Sequence, residues 1–406
     1  MRVIDSTMND LFNILMITTS YPRTLDDTSA PFIASIAEGI AQLGHNVDVV
    51  LPYHPMLTDL NRNGVTLHPY RFPGDEEDPV WGYAQSLDAD VRMKKKVYAL
   101  APFAMHRAFK LALKIADTKR PDIVHAHWVL PNGFIGARLS KKLRVPLMVS
   151  LHGSDMYLAR KSKLFGSFAR YVFKRAAAIT ACSPDLQMQA SKLSKREVNL
   201  LPYGVDTNAF APKNLREGQN VLAVGRLVHK KGFLELIDAF GQASKYDSRS
   251  MLTIVGSGPL MSELRERASK NGIAERVHLP GNIGRAELPS MYAGASIVAV
   301  PSVLDQAGNQ DGLPNVFLEA LASGCAIVAS DIPGIVNVVQ NRKECLVVPA
   351  GNIAALSEAI VELLRSPDLR QQLGVAARIK AEEELSWQRK CQEFVVLYSR
   401  LLAGKV

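Results

Sequence analysis

Cysteine, long apolar runs and metal-binding spacings are all scarce in this sequence. Four cysteines occur in 406 residues, Cys182, Cys325, Cys345 and Cys391, and they form neither a Cys-x-x-Cys pair nor a Cys/His cluster. No zinc site or disulfide framework is signalled, and each is read as a small buried apolar side chain. No apolar run approaches the roughly 18 to 20 residues that cross a bilayer, and the start, Met1-Arg2-Val3-Ile4-Asp5-Ser6, has no apolar leader core, so the expected compartment is the cytoplasm. Neither Ser20 nor Ser154 sits in a Gly-x-Ser-x-Gly elbow, which argues against serine hydrolase chemistry. Gly256-Ser257-Gly258-Pro259 stops short of Gly-x-Gly-x-x-Gly because Met261 stands where the third glycine belongs, which argues against a dinucleotide site.

The length suits two or three domains at about 150 residues each, and 47% hydrophobic content can supply their cores. The net charge of +9 is unevenly placed. Residues 1–205 carry 26 Lys+Arg against 18 Asp+Glu, which leaves +1 for the rest. Segments 91–120 and 138–175 hold 19 basic residues and two acidic ones, Asp117 and Asp155. That asymmetry points to an anionic partner of the first half, a membrane surface or a nucleic acid. No nucleic-acid-binding motif supports the second, so no nucleic-acid partner is expected.

Short β-rich apolar runs alternate with amphipathic stretches, the pattern of βαβ units and a parallel sheet. Strands are expected at 13–19, 46–53, 122–128, 146–152 and 177–183, with helices at 31–43, 104–118, 132–143 and 164–176. A second series of strands begins at 220–226 and continues at 251–256, 276–280, 296–301, 325–330 and 345–348. Two doubly wound halves follow, with a linker near 201–210 where Pro202, Gly204 and Asn208 break periodicity. Residues 54–92, rich in Pro, Gly and acids, read as a long irregular insertion or flap.

Ligands of open parallel sheets bind at the carboxyl ends of strands, and most of the polar or Gly-rich candidates fall there. Gly225-Arg226, followed by Lys231 five residues on, offers a guanidinium and an ammonium that can neutralise a diphosphate without metal; alone, the same run also reads as a solvated basic loop. Gly256 opens a second candidate phosphate or ribose loop. In Asp311-Gly312-Leu313-Pro314-Asn315-Val316-Phe317-Leu318-Glu319 two carboxylates stand eight positions apart across a helix start whose free N–H groups can face an anion. Glu319 is positioned to accept ribose hydroxyls, and Asp311 lies nearer the transferred group. Asn282 and Ile283 are expected near the base. His152 ends a strand before Gly153 and reads either as structural or as a substrate contact. His125 and His127 are read as facing opposite sides of their strand.

Together these residues resemble the retaining glycosyltransferases of family 4. The likeness runs from Ser20-Tyr21-Pro22 through Pro121–Trp128, Leu151-His152-Gly153-Ser154-Asp155, Tyr203-Gly204-Val205-Asp206 and Gly225-Arg226-Leu227 with Lys231-Gly232, to the carboxylate loop. The resemblance implies an α/β fold of the GT-B type: two doubly wound Rossmann-like domains facing across a cleft. It implies an acceptor domain over 1–205, a nucleotide-sugar domain over 206–385 and a C-terminal helix, 386–406, crossing back to the first domain. It assigns His152, Asp311, Arg226 and Lys231 to catalysis; Gly225, Arg226, Lys231, Gly256, Asn282, Ile283, Asp311, Gly312, Leu313, Pro314, Asn315 and Glu319 to the donor; and Tyr21, His127 and Asp155 to the acceptor. Two departures stand out. The family's acidic pair is usually two glutamates, whereas the first is Asp311 here, and its first-loop glycine pair is replaced by Thr28-Ser29-Ala30-Pro31.

The implied reaction moves a hexose-type sugar from a UDP- or GDP-linked donor to a glycan or polyprenyl-diphosphate-linked acceptor in polysaccharide or envelope synthesis, with no cofactor and no metal, at an anionic membrane surface. A nucleotide-sugar epimerase, a sugar phosphorylase and a non-catalytic nucleotide-sugar binder are the alternatives.

Overall fold

The computed structural model describes residues 11–404 apart from 25–26, 28, 72–81, 84–86, 90–91, 94, 154–155, 157–158, 161, 214–218, 285, 306–307 and 309–310. The chain forms two units, Met1–Tyr203 with Lys390–Val406, and Gly204–Arg389.

The first unit is built on a sheet of eight strands. In chain order its strands are β1 (Asn13–Ile17), β2 (Asn46–Pro52), β3 (Asn61–Arg62), β4 (Val65–Tyr70), then, after a separate two-stranded ribbon of β5 (Leu87–Ala89) and β6 (Arg92–Met93), β7 (Ile123–His127), β8 (Leu147–Leu151), β9 (Ala178–Ala181) and β10 (Asn199–Leu200). The spatial order is β10-β9-β8-β7-β1-β2-β4-β3, parallel except for β3 on β4. Central strands buried on both faces must be apolar throughout, and β1, β7 and β8 are buried almost end to end. Serines open the flanking helices where backbone donors need partners: Ser162 accepts from Phe165 N, and Ser183, ahead of Pro184, accepts from Leu186 N.

The second unit carries six parallel strands, β11 (Asn220–Val224), β12 (Met251–Val255), β13 (Val277–Gly281), β14 (Ile297–Val300), β15 (Ala326–Ser330) and β16 (Leu346–Val348), in the order β13-β12-β11-β14-β15-β16. Apolar clusters around Phe240 and Phe317 form its core.

The last helix, Trp387–Leu402, lies largely in the first unit. Its Tyr398 hydroxyl shares a 2.7 Å hydrogen bond with His125 Nδ1 on β7, and its Cys391 Sγ rests against the carbonyls of Ser35 and Ile36.

Two expectations are corrected. The stretch 54–92 is not wholly irregular: Val65–Tyr70 pairs in parallel with β2 over six residues. Its Val65 and Leu67 are buried in alternation with Thr66 and His68, a period-two signal that the neighbouring Gly, Pro and acidic residues masked. The part at 72–81 lies outside the described residues. The helix expected from Ala104 begins at Lys95 and carries Pro102 within it, a residue that lacks the N–H of a regular helical turn.

Candidate active site

In the second unit the backbone itself shapes the site. Gly225 N donates to Val255 O at 2.9 Å and Gly256 N donates to Gly281 O at 2.8 Å, which draws together the ends of β11, β12 and β13. Gly256 has φ 143°, and a Cβ there would stand 1.8 Å from Gly225 O, so no larger residue fits. Gly232, at φ 68°, is pressed in the same way against Pro301 O. With Val303 N donating to Lys230 O at 2.9 Å, this contact seats the His229–Lys231 turn on the loop after β14.

That seating brings expected residues together. Lys231 Nζ lies 2.7 Å from Asp311 Oδ2, Lys230 Nζ lies 3.2 Å from Oδ1, and Ser302 Oγ donates to Oδ2 at 2.9 Å. The Asp311 side chain is only 9% exposed. Burial pushes its carboxyl up, but the Lys231 charge and hydrogen bond, with Lys230 and Ser302, outweigh that and hold it below the usual carboxylate range. Asp311 thus gathers two ammonium groups beside the opening of the helix Asn315–Ala322. No side chain caps that helix, and Pro314 stands just before it, so its first turn offers backbone donors.

Glu319, on the second turn, accepts from the Tyr292 hydroxyl at 2.8 Å. Tyr292 is fully buried; its phenol is pushed well up, first by burial and then by the Glu319 charge, so it serves as a donor that fixes the carboxylate. Arg226 and Asn282 are exposed at the ends of β11 and β13, and Ile283 and Leu313 are partly buried against the same apolar core. Gly312 lies in the turn leading to Pro314. Sequence reasoning missed Lys230, Ser302 and Tyr292 as members of this group. The strand-end rule would have flagged Ser302, which follows β14 by two residues.

In the first unit His152 follows β8. Its Nε2 stands 3.1 Å from His127 Nδ1 and its Nδ1 2.8 Å from the Tyr203 hydroxyl. Rings of Phe32, Trp128 and Tyr203 enclose it, with centroids 4.7, 4.9 and 5.9 Å away. Burial lowers all three histidines: His127 to about 3, and His125 and His152 well below their ordinary value, with neighbouring imidazoles adding to the effect at the last two. His152 is therefore a neutral hydrogen-bonding group at neutral pH.

His125 and His127 do not face opposite sides. Their rings are 4.2 Å apart on one face, as positions i and i+2 of a strand must be. His125 is a structural link, bonded to Ser150 Oγ at 2.7 Å and to Tyr398. His127 is fully buried behind His152, so the acceptor contact expected of it gives way to a supporting one. Tyr21 is likewise corrected: it is fully buried with its hydroxyl donating to Glu38 Oε1 at 3.1 Å. Asp155 lies outside the described residues. Among the described residues no group of three His, Cys, Asp or Glu side chains gathers as a metal site would.

Residues 206–380 match the family described as glycosyl transferases group 1, and residues 28–204 match the glycosyl transferase 4-like domain. The chain is 26% identical over 380 residues, 86% of its length and 88% of the other, to TuaC of Bacillus subtilis, provisionally named a teichuronic acid biosynthesis glycosyltransferase. It is 34% identical over 199 residues, 46% of its length and 52% of the other, to a Mycobacterium tuberculosis protein named GDP-mannose-dependent alpha-(1-6)-phosphatidylinositol monomannoside mannosyltransferase. Among solved structures, sucrose-phosphate synthase from Thermosynechococcus elongatus superposes with a TM-score of 0.72 at 21% identity, over 97% of this chain and 100% of that one. With two parallel-sheet α/β units, this likeness bears out the GT-B fold class.

Proposed function

The chain belongs to the glycosyl transferases group 1 family, as a glycosyltransferase of glycan or glycolipid synthesis, and from that premise we propose that it transfers a hexose-type sugar, with retention, from a UDP- or GDP-linked donor to a glycan or lipid-linked acceptor. The observation that carries the donor half is the pairing of Lys231 and Lys230 on Asp311 at the mouth of an uncapped helix. In this reading Arg226, Lys231 and the N–H groups from Asn315 onward take the diphosphate. Glu319, held by Tyr292, takes the ribose, and Asn282 and Ile283 border the base. His152 meets the sugar as a neutral hydrogen-bonding group. The GDP-mannose dependence and lipid acceptor in the name of the mycobacterial relative support a nucleotide-sugar donor and a lipid-linked acceptor.

The step is written as a same-face exchange. The bond between the sugar's anomeric carbon and the donor phosphate oxygen breaks, the acceptor hydroxyl oxygen bonds to that carbon from the same face, and the hydroxyl proton passes to the departing phosphate. The protein's part is to stabilise the departing diphosphate and to position the reactants. No divalent metal is invoked; turnover abolished by a chelator and restored by magnesium would overturn that point. The reading also puts the protein in the cytoplasm, peripheral on the inner face of the cell membrane. No helix among the described residues is long and apolar enough to cross one.

The test is thermal shift with UDP, GDP, ADP and their sugar conjugates, since a ligand of the native state raises stability by RT ln(1 + [L]/Kd). A shift with one nucleotide diphosphate, lost in Arg226→Ala or Glu319→Ala, is the expected result. A folded protein that shifts with none of them would overturn the reading.

A further inference from the structure

Both ring nitrogens of His152 are engaged within the first unit: Nε2 stands 3.1 Å from His127 Nδ1, and Nδ1 stands 2.8 Å from the Tyr203 hydroxyl. A neutral imidazole carries one N–H and one lone pair, so its two bonds run in opposite senses and the place of its proton fixes the sense of the whole chain. Either His127 donates to His152 and His152 to Tyr203, or every bond runs the other way. His127 decides between the two. It is fully buried, and among the described residues its Nε2 has no hydrogen-bond partner. A proton on that nitrogen would leave a buried N–H orphaned, which folded proteins tolerate less than an unmatched acceptor. The proton therefore sits on His127 Nδ1, which donates to His152 Nε2, and His152 donates from Nδ1 to the Tyr203 oxygen. A free neutral histidine favours the other tautomer, so the partners of His152 are what hold this one.

The surroundings keep the three side chains in register. Phe32 stacks on Tyr203 with ring centroids 4.6 Å apart and planes within 19°, and Phe32 and Trp128 flank the His152 ring at 4.7 and 4.9 Å. Trp128 takes its place at φ 68° and ψ 133°, a backbone conformation that disfavours any side chain. Strain of that kind persists only where the surrounding structure over-determines it, and it concentrates at functional sites.

We propose that Tyr203 is a positioning residue of the transfer reaction: its oxygen accepts from His152 Nδ1–H and so fixes the tautomer and the plane of the ring that meets the sugar. The inference deepens the proposed function and rests on its reading of His152. It also gives that contact a direction. With the proton held at Nδ1, Nε2 is the accepting side of the ring, and a sugar hydroxyl that reaches it meets a lone pair. Phenylalanine at position 203 would keep the stack on Phe32 and remove only the oxygen that holds the proton in place.

The test reads tautomer and turnover on the full chain. Nitrogen NMR of protein labelled at histidine, with His152→Gln as the assignment control, tells a protonated ring nitrogen from a bare one. His152 protonated at Nδ1 in wild type, and shifted toward the other tautomer in Tyr203→Phe, is the expected result. His127→Phe, which removes the donor on the other nitrogen, is the second variant and should move the tautomer the same way. For turnover the probes are UDP-glucose and GDP-mannose, with release of the nucleotide measured as the sugar passes to water in place of an acceptor. Tyr203→Phe should lower kcat about tenfold, the size of one hydrogen bond, with the donor KM within about twofold, because the residues proposed for the diphosphate and ribose lie in the other unit. A merely structural tyrosine would leave the tautomer where it was. His152 protonated at Nε2 in wild type, or a Tyr203→Phe variant with the wild-type tautomer or the wild-type kcat, would overturn the proposal. A wild type that neither shifts nor turns over with any nucleotide would sink the donor reading instead, and the tautomer measurement would still decide whether Tyr203 holds His152.

Discussion

Lys231 Nζ stands 2.7 Å from Asp311 Oδ2, and the same carboxylate holds Lys230 through its other oxygen at 3.2 Å. One negative charge balances two positive ones, so a positive charge remains beside the helix that opens at Asn315. A buried carboxylate that fixes ammonium groups before the ligand arrives supplies preorganisation, which is where electrostatic catalysis gains most.

Arg226→Ala or Lys231→Ala is therefore expected to cost on the order of 2 to 4 kcal/mol in kcat/KM, the size of one preorganised donor. Asp311→Ala should fall by a similar factor, while Asp311→Glu, which restores the family's usual side chain, should keep more activity than Asp311→Ala. Near wild-type turnover in both cation variants would remove the diphosphate assignment.

Glu319 is held by Tyr292 at 2.8 Å, so the ribose contact should depend on a residue that never touches it. Tyr292→Phe deletes a charge-assisted hydrogen bond and is expected to weaken donor binding by about 1 to 3 kcal/mol. The informative readout is discrimination. Wild type should prefer the ribonucleotide diphosphate over its 2′-deoxy form, and both Tyr292→Phe and Glu319→Ala should narrow that preference in calorimetry. An unchanged preference in Glu319→Ala would contradict the ribose role.

These relationships mark how far the sequence could be read. The alternation of apolar runs and amphipathic stretches identified the two sheets because parallel strands buried on both faces are nearly continuous in Val, Ile, Leu and Ala, as in Ile14–Ile17 and Ile297–Val300. Strand ends located Gly225 and Gly256, and the carboxylate pair across a helix start located Asp311. What escaped was what only tertiary packing decides. Tyr21 and His127 are polar in type but buried by their neighbours, and Tyr292 lies 27 residues from the Glu319 it orients. The strand Val65–Tyr70 escaped for a different reason, since its Pro69 and the preceding Asn63-Gly64 turn resemble loop composition.

The neutral histidines make stability pH-dependent in a defined direction. Above the ordinary histidine value of about 6.5 both folded and unfolded chains carry neutral imidazoles, so stability there is unaffected. Below it the unfolded chain binds protons that buried His125 and His127 and the ring-enclosed His152 refuse, so stability falls as pH drops from about 6.5 toward the His127 value of about 3. Each such group can remove about 1.4 kcal/mol per pH unit. Urea midpoints measured from about pH 7.5 to 5 should decline, and His127→Gln should flatten the slope. A flat wild-type profile would show that these imidazoles are charged in the fold.

Tyr398 is the strongest test of how the last helix is held. Its hydroxyl and His125 Nδ1 are bonded at 2.7 Å, both side chains are fully buried, and His125 continues through Ser150 Oγ to Thr180 Oγ1 at 2.7 Å each, a polar chain across β7, β8 and β9. Tyr398→Phe keeps the ring and its packing but leaves a buried imidazole nitrogen without its partner, which should cost about 1 to 3 kcal/mol in unfolding free energy. Tyr398→Ala adds a cavity and should cost more, about 3 to 5 kcal/mol. Because the residues proposed to hold the donor lie in the other unit, the nucleotide shift of Tyr398→Phe should match wild type once the lower starting stability is subtracted. A phenylalanine variant as stable as wild type would mean that the ring alone secures the helix and that the histidine relay contributes nothing to it.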